Sequence, residues 1–376
     1  MGEKTLARAL REEFVPKIAR RLPGHHLNGF KHDFIVNTVK KHKGKHPYFL
    51  RADITKFYPS IRHRDLVAGI QVAYRDLCAM DYVPEAFKKR FVGAVNAWCC
   101  RLPLQRGIPL GSPLSAIAAP VMLIPVWLQL KKQFKVPFIV FMDDVLVMCE
   151  SAEQVNEVYA FLVNTLLGDY ELNLNLAKTR SGRFSRDTVD FCGWRFAGGY
   201  AAISEEKVEA FKERVATLAR RDKKGNMQAF IKRMNQAIDG FGHYYKHGDT
   251  ARQFEALDVY IRGLVRRRLT GKTRTGTVRN SRLDDYGLHS LTRIFNRHQD
   301  KMAGRTPGAS PRPGRRLAAL PNPARDAPAR SPTAAWQDTE LLQRVADHCD
   351  KIQSQLTQLL ALHRKLLRAV ERFSSP

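Results

Sequence analysis

With 376 residues, 44% of them hydrophobic, the chain has enough material for two or three packed units with real cores. Its 63 Lys and Arg against 36 Asp and Glu leave a formal charge of +27, far beyond what solubility needs, so a polyanion is the leading partner. Membrane and secreted classes are disfavoured: the longest apolar run, Ala116 to Leu130, is broken by Pro120 and Pro125 and too short to span a bilayer, and the start, MGEKTLARALREEF, is charged throughout. Six cysteines (Cys78, Cys99, Cys100, Cys149, Cys192, Cys349) show no CxxC pair and no metal-ligand spacing, which reads as reduced thiols in a cytoplasmic protein.

Residues 1 to 47 are basic and mainly helical in pattern, broken at Pro23-Gly24 and followed by His25-His26 and the cluster KKHKGKH. A histidine pair can bind metal, but without acidic or cysteine neighbours in good spacing a basic surface facing nucleic acid fits better. Next, YFLRADI alternates into a buried strand ending at Asp53, and Phe57 and Tyr58 follow, as core or as the wall of a nucleotide pocket. Leu66 to Arg101 is amphipathic and helical. RGIPLGSPLSAIAAPVMLIPVWLQLKKQ then joins a Gly/Pro loop to a long apolar helix; Gly107 and Gly111 allow close backbone approach at a helix N-terminus, which favours a phosphate or a stacked base.

FIVFMDDVLVM, from Phe138 to Met148, reads as two short buried strands joined by a tight turn that presents Asp143 and Asp144. Adjacent carboxylates are either a solvated turn or a site for a divalent cation, for which hard oxygen ligands on a rigid turn are suited. Asp53 also ends a strand, so one sheet is able to bring all three acids together. Downstream the pattern gives a helix, a turn at Gly168-Asp169, a strand, and Lys178 in a basic exit; VDFCGWRFAGGYAAIS reads as a hairpin about Gly198-Gly199, and Ser204 to Leu269 as basic helices. From 270 to 335 Arg, Thr, Pro and Gly make a cationic linker unable to bury a core, with one short helix expected over Leu283 to Arg297. Thr339 to Phe373 repeats apolar residues at alternating spacings of three and four, with His363 the polar exception, a coiled-coil seam that serves either self-association or docking on its own chain.

Taken in this order, the segments resemble a bacterial reverse transcriptase over roughly residues 25 to 270. LRADITKFYPSI resembles the first catalytic motif, RGIPLGSPLS the second, FMDD the third, LNLNLAKT the fourth and VDFCGWRF the fifth, while RMNQAIDGFGHYYKHGDTARQFEALDVYIRGLVRRRL looks like the helical thumb of group II intron maturases. The resemblance implies an α+β right-hand polymerase: fingers and an antiparallel palm sheet over 1–200, a helical thumb over 201–270, the basic linker over 271–335 and a heptad helix over 336–376. It implies a metal set of Asp53, Ile54, Asp143 and Asp144 holding two Mg²⁺, with Mn²⁺ as substitute, and Lys178 as a catalytic general acid near the leaving phosphates. Phe57, Tyr58, Leu110, Gly111 and Lys31 would bind the nucleotide, Tyr58 as the gate against a ribose 2′-OH; Gly193, Trp194, Tyr244 and Arg266 would hold primer and template.

Two departures from the family pattern bear on substrate. Leu110 stands where a glutamine is usual, as in diversity-generating and several defence-associated lineages, and HHLNGFKHDF keeps Gly29, Phe30 and Lys31 without the usual Arg-Gly run. No paired cysteines or spaced histidines after residue 270 suggest an HNH nuclease. The expected activity is RNA-directed DNA synthesis from dNTPs on a dedicated noncoding RNA in antiphage defence. The alternatives are a diversity-generating or group II intron-derived enzyme, an RNA-binding maturase-like module with a vestigial polymerase, and untemplated or protein-primed synthesis. A homo-oligomer through 339–373 and no membrane partner complete the expectation.

Overall fold

The computed structural model describes residues 2–78, 82–99, 106–221, 226–270 and 280–304, all within one compact unit of residues 1–311. In chain order come α1 (Glu3–Arg21), a short 3₁₀ turn (His26–Asn28), α2 (Phe34–His42), β1 (Tyr48–Asp53), α3 (Phe57–Ser60), α4 (His63–Cys78) and α5 (Glu85–Cys99). After these follow α6 (Ser115–Met122), α7 (Ile124–Phe134), β2 (Phe138–Phe141), β3 (Asp144–Cys149), α8 (Ala152–Tyr170) and β4 (Arg180–Arg183). The last part holds β5 (Val189–Phe191), β6 (Trp194–Ala197), β7 (Tyr200–Ile203), α9 (Glu205–Arg221), α10 (Met227–Tyr245), α11 (Ala251–Thr270), α12 (Asn280–Asp285) and α13 (Leu291–Met302). The expected heptad seam lies outside the described residues.

A four-stranded antiparallel sheet of order β2-β3-β1-β4 divides the core in two. Alternation along each strand sends side chains to opposite faces. Leu50, Ala52, Val140, Val145 and Val147 pack with the helices of the first half, whereas Phe49, Ile139, Leu146 and Met148 pack with β5–β7 and the helices that follow. Burial on both faces explains why β2 and β3 read as continuous apolar runs rather than as alternating ones. The apolar stretch after the Gly/Pro loop is two helices and not one. Pro120 lies inside α6 and Pro125 in the first turn of α7, and the chain bends at Leu123 between them. Opposite this bend only a glycine fits on α4: a Cβ on Gly69 would stand 2.9 Å from the Met122 Cα.

Four further expectations change. The turn expected at Gly168-Asp169 is absorbed into α8, which ends on Glu171 in the left-handed region; a mid-helix glycine costs about 1 kcal/mol, too little to break a helix that buries Val155, Val158, Phe161, Leu162 and Leu166. No strand forms over LNLNL. Leu174 makes one bridge to Ile54, Thr55 donates to the Asn173 carbonyl, and the chain then turns at Asn175 before the real strand, β4, pairs with β1. The single hairpin expected around Gly198-Gly199 is a three-stranded meander, because Cys192 (φ 50°) and Gly193 (φ 81°) make a second tight turn.

The fourth change concerns the basic stretch after residue 270, which was read as a linker with one short helix and no core. Residues 280–304 carry two helices, and Leu283, Leu288 and Leu291 are buried against α10 and α11. The buried Asp258 of α11 accepts from Ser290 Oγ (2.6 Å) and from the amides of Leu291 and Thr292, so the acid that caps α13 comes from a distant helix. Three leucines among many cations understate burial when the cap is supplied from elsewhere in the chain.

Candidate active site

β1 and β3 are registered so that Asp53 faces Asp144 directly, and the Ile54 amide donates to the Asp143 carbonyl at 3.2 Å. The three acids therefore meet at one end of the sheet, Asp53 from a strand end and Asp143 from the turn between β2 and β3. Asp53 is buried while Asp143 and Asp144 are half-buried. Burial, then the charge of Asp53, pushes the Asp143 carboxyl above the ordinary carboxylate value. Asp144 is pushed up in the same way by burial and by its two acidic neighbours, against the pull of Arg51. Like charges this close in a half-buried site are an anionic trap for cations.

Two side chains of the protein answer that charge. Arg51 lies on the same face of β1 as Asp53, two residues away, and reaches diagonally to Asp144 with both arms of its fork: Nε to Oδ1 at 3.0 Å and Nη2 to Oδ2 at 2.7 Å. Lys178 Nζ stands 3.2 Å from Asp53 Oδ2, brought there by the turn at Asn175, whose amide donates to the Asp53 carbonyl at 2.7 Å. Among the described residues no three His, Cys, Asp or Glu side chains are arranged as a ready-made ion cage; two of the three carboxylates face cations instead. The donor set itself, three acids on a rigid sheet edge with the Ile54 backbone beside them, is the hard-oxygen chemistry that Mg²⁺ and Mn²⁺ take. Arg51 and Asn175 lie within LRADITKFYPSI and LNLNLAKT, yet nothing along the chain gives them a role; only the register of β1 with its neighbours makes them part of the site.

The expected nucleotide residues separate. Phe57 is core, only 2% exposed, so of the two neighbouring aromatics Tyr58 alone faces the acids: its hydroxyl is pushed up by burial and by the charge of Asp143. Adjacent residues on a helix lie about 100° apart, so the two rings do not share a face, and the apolar one turns inward. The Gly/Pro loop is tied down by Gly107 N to the Ile61 carbonyl (2.8 Å), Ile108 N to the Tyr58 carbonyl (3.1 Å) and Ser112 Oγ to Glu3 (2.5 Å). It holds Leu110 out at 80% exposure beside Gly111 at φ 83°. Lys31 is exposed in a groove with Gly29, Phe30, Phe34 and Asn37, and no hydrogen bond or ion pair joins it to the three acids among the described residues.

The expected primer and template residues also divide. Trp194 is fully buried, stacked on Tyr244 at 5.9 Å and edge-on to Tyr245 at 4.9 Å, so it is a core residue and not a strand-facing one. Tyr244 is half-buried and donates its hydroxyl to the Cys192 carbonyl at 3.1 Å, and Arg266 is half-buried on α11. The turn that Tyr244 holds lies near the acids: burial raises the Cys192 thiol, and Asp144 adds to that rise. No described helix is long and apolar enough to cross a membrane.

A family model described as reverse transcriptase (RNA-dependent DNA polymerase) matches residues 3–196, and one described as group II intron, maturase-specific domain, matches residues 208–287. No curated protein matches. Among solved structures, apo telomerase from Candida tropicalis aligns with 78% of this chain and 55% of its own at 11% identity and a TM-score of 0.42. Telomerase from Candida albicans in complex with a TWJ fragment of telomeric RNA aligns with 76% of this chain and 48% of its own at 12% identity and a TM-score of 0.40. The chain thus spans about half the length of these telomerases. The first family model covers more than half of the 376 residues and includes all three acids, with the maturase-specific match following it in order: the chain belongs to the reverse transcriptase family, in its group II intron-like form.

Proposed function

We propose that the protein is an RNA-directed DNA polymerase that adds dNTPs to a primer at the edge formed by Asp53, Asp143 and Asp144. The observation that carries this reading is the convergence of those acids at one sheet end inside the segment matched by the reverse transcriptase model. Two bound Mg²⁺, or Mn²⁺, would supply the activated primer hydroxyl and the charge that steadies the leaving pyrophosphate. The protein's own part is to hold the ligands and neutralise their surroundings. Arg51 anchors Asp144; Lys178, beside Asp53, would donate a proton to the leaving group; Tyr58, half-buried and under the charge of Asp143, would stand against a 2′-OH; Leu110 and Gly111 would offer an apolar side chain and open backbone to a base or sugar. In this reading residues 1–200 are fingers and palm, and the thumb begins at 201.

The maturase-specific match over 208–287 favours structured RNA as the template or its carrier. It also supports a second reading, an RNA-binding maturase whose polymerase is idle. A dedicated noncoding RNA in antiphage defence is a narrower proposal resting on Leu110, which matches lineages with an apolar residue before the glycine. The test is cDNA synthesis by the full chain on primed RNA with dNTPs and Mg²⁺, together with sequencing of copurifying nucleic acid. Synthesis lost in Asp143→Asn supports the polymerase. Tight RNA binding without synthesis in the wild type supports the idle maturase, and bound RNA from one locus outside any intron supports the narrower proposal.

A further inference from the structure

Among the described residues His25 and His26 join no metal-binding group, and His25 is fully buried rather than part of a basic surface. The chain at Gly24 runs beside β2: the Val140 amide donates to the Gly24 carbonyl at 2.8 Å, and His25 makes a parallel bridge to Val140. Only glycine permits this approach, since a Cβ on Gly24 would stand 2.1 Å from the Phe138 carbonyl oxygen. The segment ends alongside the tip of the acid-bearing hairpin. There Met142 sits at φ 57°, a conformation that costs a non-glycine residue about 1–2 kcal/mol and persists only where its surroundings impose it. The Met142 amide donates to His26 Nδ1 at 3.2 Å. The His26 ring also lies 5.4 Å from the ring of Phe141 and stacks on His25 at 4.8 Å. His25 is fully buried; its Nδ1 accepts from the Leu27 amide and its Nε2 has no partner, a desolvation cost borne by a residue that serves as the platform for His26.

We propose that His26 is the positioning residue of the catalytic turn: its Nδ1 fixes the Met142 amide and so sets the backbone from which Asp143 and Asp144 project. Burial holds the His26 ring down at about 4, so at neutral pH the ring is uncharged; its proton then sits on Nε2, which has no partner, and Nδ1 keeps a lone pair for the amide. The catalytic half of the inference rests on the polymerase reading; the structural half does not.

Two substitutions separate the acceptor from the ring. His26→Asn keeps an acceptor atom where Nδ1 stands and removes the ring, while His26→Phe keeps a ring and removes the acceptor. Hydrogen–deuterium exchange at the Met142 amide in the full chain is expected to be roughly tenfold faster in His26→Phe and close to wild type in His26→Asn. In cDNA synthesis, kcat should fall about tenfold in His26→Phe and return in His26→Asn, with the KM for dNTP and RNA affinity unchanged in both. Slow exchange in His26→Phe, or equally fast exchange in both variants, overturns the proposal and leaves His26 as ring packing alone. If His26→Phe does not fold, His26→Asn decides: protection at Met142 supports the acceptor role, and fast exchange at a native Tm refutes it. A wild type that makes no cDNA defeats the polymerase reading, while the exchange measurement still settles the turn.

Discussion

Two hairpin tips come within electrostatic reach of Asp144, and they are stabilised in opposite senses. At the β2–β3 tip Met142 adopts φ 57° and its amide is held by an acceptor, His26 Nδ1. At the β5–β6 tip Cys192 and Gly193 adopt φ 50° and 81°, and a carbonyl, that of Cys192, is held by a donor, Tyr244 Oη. The first tip needs side chains that project, so it tolerates a strained non-glycine and is braced from the N-terminal segment. The second also carries a strained non-glycine, Cys192, but follows it with a glycine because it is closely packed: a Cβ on Gly193 would stand 2.5 Å from the Tyr245 hydroxyl, and α10 braces this tip. Backbone strain at the first tip thus sits where charge is displayed, and at the second where the helical region meets the sheet.

The largest separation between the tips should come from Asp143→Asn. In the polymerase reading Asp143 would be a metal ligand, and its loss is expected to lower cDNA synthesis by more than about 100-fold, beyond the effect of losing an outer-sphere partner. Stability should move the other way. Because Asp143 is held above the ordinary carboxylate value, the folded chain takes up this proton before the unfolded chain does. Acidification through that range therefore favours the fold, and at neutral pH the charged group costs stability. Metal-free Asp143→Asn should melt higher than wild type near pH 7, with the gain shrinking as pH falls through the carboxylate range; a lower Tm at pH 7 would contradict the repulsion described here.

Gly193→Ala tests the other tip. Strain at φ 81° plus the clash with Tyr245 should cost roughly 2–3 kcal/mol, read as a lower midpoint in urea, with the metal affinity of the acids retained. Arg51→Gln is next, at about 1–2 kcal/mol once the partial exposure of the pair is discounted. Without the guanidinium, Asp144 keeps burial and its acidic neighbours and rises further, so the acid limb of the kcat profile should shift to higher pH. Tyr244→Phe removes one hydrogen bond to the Cys192 carbonyl and should cost about 1 kcal/mol, leaving the pH profile where it was; a shifted profile would mean that this tip tunes Asp144 directly.

Strong local patterns were legible from the chain alone. YFLRAD and FIVFMDDVLVM gave strands with the acids at their ends, because apolar runs bounded by turn residues admit few other structures. Weak patterns misled. LNLNL alternates like a strand, but Thr55 and Asp53 take up its backbone groups within a few residues, and Trp194 reads as a strand-facing aromatic until α10 covers it. The stretch after residue 270 has the composition of a linker, and it folds at 280–304 because Asp258 caps it from another helix.

By itself, then, the sequence determined the identity of the acids, their placement at strand ends, the basic character of the chain and the order of its motifs, all of which depend on neighbours along the chain. Tertiary structure alone decided which cation faces which acid, that Phe57 turns inward while Tyr58 faces Asp143, and that His26, 116 residues before Met142, accepts from the amide of the acid-bearing turn. Those relations arise from strand register and from segments crossing at a distance, and no local periodicity encodes them.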